Sequence, residues 1–135
     1  MRSVFEVCVL GSILICGAGA QDSRKIPMTK GVSVHMPVAV HAVEMRAADE
    51  PDAKVVAIAA DGKVFLGITT TDPGALSNLS GTVFVKADSR APFQTVLSVL
   101  DALRGKSVVL LTAPPENAVR QGPVSPYGIT LTVSR

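Results

Sequence analysis

The chain has 135 residues, 47% of them hydrophobic, and a formal charge of +2. That suits one domain with a modest apolar core. Thirteen Lys and Arg against eleven Asp and Glu supply no basic surplus of the kind nucleic acid requires, and one Tyr, four Phe and no Trp leave base stacking poorly provided.

Residues 1–20 read as a targeting or anchoring segment. Arg2 gives a positive start, residues 7–16 form an apolar run, and Ala18-Gly19-Ala20 places small residues before Gln21. This is the layout of a cleaved secretory signal peptide. The competing reading is a membrane anchor over residues 4–20. At ~1.5 Å per residue it would reach about 26 Å, short of a ~30 Å hydrocarbon core. Glu6 would lie inside it, and Arg24, Lys25 and Lys30 follow on the far side, against the positive-inside tendency. Both cysteines, Cys8 and Cys16, fall in this segment, so residues 21–135 can form neither a disulfide nor a thiolate metal site.

Residues 21–31 are polar and carry Pro27, as a tether does. Residues 32–36 alternate apolar and polar before Pro37, which predicts a short edge strand stopped by proline, with 38–45 as a less regular extension. Residues 46–53 are a charged loop. Asp61-Gly62 between apolar runs at 54–60 and 63–67 predicts a hairpin with a two-residue loop. A threonine-rich connection follows. Asp72 is placed to cap a short helix over 73–79 that has Pro73 at its first position. Residues 82–87 then read as strand, Asp88-Ser89-Arg90 as turn, and 92–104 as helix. Phe93, Val96, Leu97, Leu100 and Leu103 form its apolar face, and Gly105 stops it. Residues 107–112 are a second β-branched run, closed by Pro114-Pro115. Two apolar strands joined by an amphipathic helix predict a right-handed crossover between parallel strands. After a Pro- and Gly-bearing loop over 116–126, residues 127–134 alternate like a terminal strand. The expected fold is α+β: a small mixed sheet with two helices packed on one face.

The residue chemistry offers no obvious catalyst. His35 and His41 are six apart, which is ~20 Å along a continuous strand, too far to share a metal. They are expected on the surface. No Gly-x-Ser-x-Gly elbow and no Gly-Lys-Ser/Thr phosphate loop occurs. Asp88 reads as a turn residue, Lys86 as the solvent-facing member of an alternating strand, and Asp101 as an i, i+3 partner for Arg104. No enzymatic activity, metal or cofactor is expected from this set. Val34, Met36 and Pro37 stand apart, because an unpaired edge strand is a template for a partner or a second copy.

The order of these pieces resembles a known family. Val34-His35-Met36-Pro37, the Asp61-Gly62 hairpin with Val64-Phe65-Leu66-Gly67, and Val83-Phe84-Val85-Lys86-Ala87-Asp88 follow one another as in ExbD/TolR-type biopolymer transport proteins. So do Val99-Leu100-Asp101-Ala102-Leu103 and the strand at 108–112. The resemblance covers about residues 31–114. It implies a division into signal peptide or anchor (1–20), tether (21–31) and periplasmic domain (32–135). It further implies a non-enzymatic subunit of a proton-driven motor on the periplasmic side of the bacterial inner membrane, anchored there or released after cleavage. Expected partners are a second copy, an ExbB/TolQ-like membrane channel, and a periplasmic protein or peptidoglycan. In the family a transmembrane helix carries a proton-handling carboxylate, and Glu6 stands at that place. The chain departs from the pattern there: the residue is Glu rather than Asp, and only five residues precede it. The rival reading is a secreted binding module for cell wall or protein with no motor role.

Overall fold

The computed structural model describes residues 31–116 and 126–134. The expectations for residues 1–20, including the role of Glu6, and for the tether up to residue 30 lie outside the described residues. Among the described residues no helix is long and apolar enough to cross a membrane.

Seven strands form one mixed sheet: β1 (Val43–Glu44), β2 (Lys54–Ile58), β3 (Val64–Leu66), β4 (Thr69–Thr70), β5 (Val83–Ala87), β6 (Ser107–Thr112) and β7 (Tyr127–Thr132). Their spatial order is β1-β7-β6-β5-β2-β3-β4. The centre is parallel, with Val83 beside both Lys54 and Val108. The flanking pairs are antiparallel. Among the described residues the one α-helix, α1 (Phe93–Ala102), joins β5 to the parallel β6. The strand–helix–strand unit expected from 82–87, 92–104 and 107–112 is therefore present.

Alternation along the parallel strands divides the core into two layers. Val56, Ile58, Val83, Val85 and Val108 meet Val99 of α1, Leu103 at its C-cap and Leu76 of a 3-10 turn at Pro73–Asn78. On the opposite face Val55, Phe84, Val109 and Leu111 pack with Ala48, Met36 and Met45. Strands covered on both faces are apolar at nearly every position, which is why β2, β5 and β6 read as continuous runs.

Several local expectations change. Residues 32–36 are not a β-strand. The segment at 31–38 crosses the carboxyl ends of β5 and β6 and makes one parallel bridge, from Val38 to Ala113. The sheet edges are β1 and β4 instead. The charged loop at 46–53 contains a 3-10 turn, Arg46–Asp49, whose Ala48 is buried. The hairpin loop has three residues rather than two. Ala59 and Lys63 close it, the Gly62 amide bonds the Ala59 carbonyl at 3.0 Å, and Gly62 takes φ +86°. That left-handed position after a tight turn is one glycine adopts without penalty. The Asp72 side chain makes no capping bond, although its carbonyl accepts from Ala75 at 3.1 Å. On α1 the buried stripe is Val96, Val99, Leu100 and Leu103. Phe93 and Leu97 are 73% and 43% exposed. The stripe at i, i+3, i+4, i+7 turns those two away from the sheet.

Candidate functional site

Residues Phe84, Lys86 and Asp88 alternate onto the face away from α1, and two further segments meet them there. Asp88 follows β5 directly, its amide bonding the Ile58 carbonyl at 2.8 Å. Its carboxylate closes a small polar knot. Oδ1 accepts the Arg90 amide and the Arg90 Nε–H, both at 3.0 Å, and Oδ2 accepts the Arg90 Nη2 at 3.3 Å. Oδ2 also accepts the His35 amide at 3.0 Å. The Arg90 guanidinium, helped by the Arg90 and His35 amides, holds the Asp88 carboxyl well below the usual carboxylate range.

The bond to His35 locks the strap at 31–38 in place. The Ser89 amide donates to the His35 carbonyl at 2.8 Å, and the Ala113 amide donates to the Pro37 carbonyl at 2.9 Å. The His35 ring lies within 3.3 Å of the Ser89 hydroxyl. Of the three residues singled out as partner contacts, Val34 and Met36 are half-buried and turn toward the sheet, while Pro37 is exposed. The backbone groups of His35 and the Pro37 carbonyl are used within the chain, on the side of the strap that faces Asp88, Ser89 and Ala113.

Beneath the strap lies a cavity of about 80 Å³, lined by Ser33, Val34, Met36, Val55, Lys86 and Leu111 among others. Lys86 is not solvent-facing: it is only 5% exposed and lies between Ala57 and Leu111 in the sheet. Burial lowers the affinity of its amine for a proton. Lys86 does alternate with its neighbours onto one face of β5, but that face is covered. What the alternating pattern could not supply was the second covering layer.

At the other end of the same face Phe84 and Val109 are buried with Ala48 and Met45 beside them. A groove of about 660 Å³ runs over Phe84, Val109 and Thr130 and is walled by Met45, Glu50, Asp52 and Lys54. Its volume falls in the range of ligand-binding clefts. The sequence signal for it was present but unread: Glu50, Pro51 and Asp52 form a turn, closed by the Ala53 amide on the Glu50 carbonyl at 3.0 Å.

The Asp101–Arg104 pair and the two surface histidines are found where expected. Asp101 and Arg104 form an ion pair on the exposed side of α1. His35 and His41 are both exposed. Among the described residues no three His, Cys, Asp or Glu side chains gather as a metal ion would require. Val38, Val40 and Val43 are 57%, 80% and 56% exposed, a run of apolar side chains, hereafter the ridge, that leads into β1. No protein-family model, curated protein or solved structure matches this chain.

Proposed function

We propose that this chain is a non-enzymatic envelope protein, similar to the periplasmic domain of ExbD/TolR-type subunits, that serves a proton-driven transport complex by pairing with a second copy and touching membrane-channel and periplasmic partners. The observation that carries the contact role is the ridge of Val38, Val40 and Val43, three large apolar side chains left in solvent within six residues. Exposed apolar positions grouped in this way mark interaction surfaces. Support for the family reading comes from the order of the hairpin, β5, α1 and β6, although the strand that opens the resemblance, Val34–Pro37, is not formed.

Pro37 leads into the ridge, and Val34 and Met36 hold the strap from which it extends. Their contribution to partner contact is therefore indirect, through the position of the strap. The full chain and a Val38→Lys/Val40→Lys variant are compared by analytical ultracentrifugation and by cross-linking in envelope fractions. Loss of self-association and of cross-linked partners, with an unchanged melting temperature, is the expected result. Unchanged association would overturn the contact role of the ridge.

The amino-terminal residue of the mature protein decides whether Glu6 takes part. A start at Gln21 removes Glu6 from any proton step and leaves either a released relative of the family or the rival, a secreted binding module with no motor role. Retention of Met1 in a membrane fraction supports the motor reading.

A further inference from the structure

We propose that a polar cleft between the 59–63 turn, residues 70–73 and the first two turns of α1 binds a single neutral sugar ring. The cleft has a volume of about 350 Å³. At the ~30 Å³ that a water takes in the liquid, it has room for about twelve non-hydrogen atoms, as many as one hexose has. Three segments wall it. The 59–63 turn approaches α1 so closely that a Cβ on Gly62 would stand 3.3 Å from the Thr95 hydroxyl oxygen. The Thr71 amide donates to the Val64 carbonyl at 2.8 Å and holds the second wall against β3. Pro73, half-buried at the start of the 3-10 turn, gives the C–H face of a sugar an apolar surface to lie on.

The polar groups on these walls are mixed in kind. The Asp72 carboxylate only accepts hydrogen bonds, the Thr71 and Thr95 hydroxyls both donate and accept, and the Gln94 amide does one at each end. Among the described residues no partner is found for these four side chains. Asp72 occupies the N-cap of the 3-10 turn, yet its carboxylate is not spent on capping; only its backbone carbonyl is, on the Ala75 amide. The cation on the rim, Lys63, is neutralised by Asp61 at 3.1 Å. The carboxylate of Asp72 therefore turns anions away. A simple cation would satisfy Asp72 and leave the donors of Thr71, Gln94 and Thr95 without an acceptor. A ring bearing several hydroxyls matches all four, and two adjacent hydroxyls can share the two oxygens of Asp72. The cleft lies beside β3 and β4 at one edge of the sheet, whereas the ridge leads into β1 at the other, so the proposal does not depend on the ridge.

Glucose, galactose and mannose, which differ in the orientation of their hydroxyls, are titrated separately into the full chain and followed by amide chemical shifts, with glucuronate as an anionic counterpart. At least one neutral sugar should give saturable shifts centred on Thr71, Asp72, Gln94 and Thr95, and glucuronate should bind more weakly. Asp72→Asn should lose about tenfold in affinity for that sugar and narrow its advantage over glucuronate. The titration of the unaltered protein decides the matter even if the variant folds poorly. No saturable shift with any of the three sugars, shifts centred elsewhere, or a folded Asp72→Asn variant that binds as the wild type does would overturn the proposal.

Discussion

The Asp88 carboxylate accepts the backbone N–H of His35 at 3.0 Å, tying together residues 53 positions apart. That bond joins the turn after β5 to the strap across the carboxyl ends of the strands. Asp88→Asn keeps an acceptor but loses the charge that pairs with Arg90; Asp88→Ala loses both. The melting temperature is expected to fall in the order wild type, Asp88→Asn, Asp88→Ala. Hydrogen exchange at the amides of His35, Ser89 and Ala113 should quicken in the same order. Unchanged exchange would mean that Met36 and Val34 hold the strap by packing alone.

Acid should weaken the same knot. The folded-state affinity of Asp88 for a proton is depressed, chiefly by Arg90. Its contribution to stability is therefore fully present above the ordinary aspartate value of about 3.9 and is lost as pH falls below it toward the folded-state value. The difference in melting temperature between wild type and Asp88→Asn should be constant from pH 7 to 5 and shrink below pH 4. A difference independent of pH would show that the carboxylate's charge is not what stabilises the turn.

Lys86 has the opposite sign. Burial lowers its proton affinity in the folded protein. In the alkaline window below the ordinary lysine value of about 10.4, the unfolded chain binds more protons there than the native one, so stability rises with pH. Lys86→Met retains the length and apolar stem of the side chain. Urea unfolding from pH 7 to 10 should show the wild type gaining on Lys86→Met as pH rises. Parallel curves would mean that the native amine keeps its proton through this range.

On α1 the two ends of the expected apolar face should respond differently. Leu103 is fully buried against Val99 and the sheet, and Leu103→Ala should cost about 2–5 kcal/mol. Phe93→Ser alters a side chain that is 73% exposed and should change stability by no more than about 0.5 kcal/mol. Chemical denaturation of the two variants decides it, and comparable losses would place Phe93 in the core after all.

Gly128 leaves room for its neighbours. A Cβ there would lie 2.9 Å from the Leu110 carbonyl oxygen and 2.9 Å from a Val109 methyl, with Met45 at 3.2 Å. The Leu110 carbonyl belongs to the sheet and cannot move aside without disturbing the β6–β7 pairing. Gly128→Ala should destabilise by about 1–3 kcal/mol, read from the urea midpoint. A neutral substitution would imply that β7 shifts freely against β6.

The parallel centre was legible because its signals are local: β-branched runs at 83–87 and 107–112, a helical stripe between them, and Gly105 after it. The 54–66 hairpin was legible for the same reason. The reading failed where distant segments decide the outcome. Lys86 resembled an exposed member of an alternating strand because nothing near it in sequence announces that residues 31–38 and 46–49 cover its face. Residues 32–36 alternate like a strand, yet the Asp88 carboxylate takes the His35 amide that a ladder would need. Phe93 and Leu97 fit a helical count from Leu100, but the stripe through Val99 buries more surface. The groove was hidden because its floor belongs to three strands and its charged wall to a turn read only as a loop.

The lateral ends of the sheet have a practical consequence. Each is a strand of two residues, Val43–Glu44 on one side and Thr69–Thr70 on the other. An approaching chain finds almost no backbone ladder to prolong, so fibrillar growth from either flank has no foothold. Concentrated samples should therefore stay free of thioflavin-positive aggregates, and any assembly they form should be held by side chains and come apart on dilution.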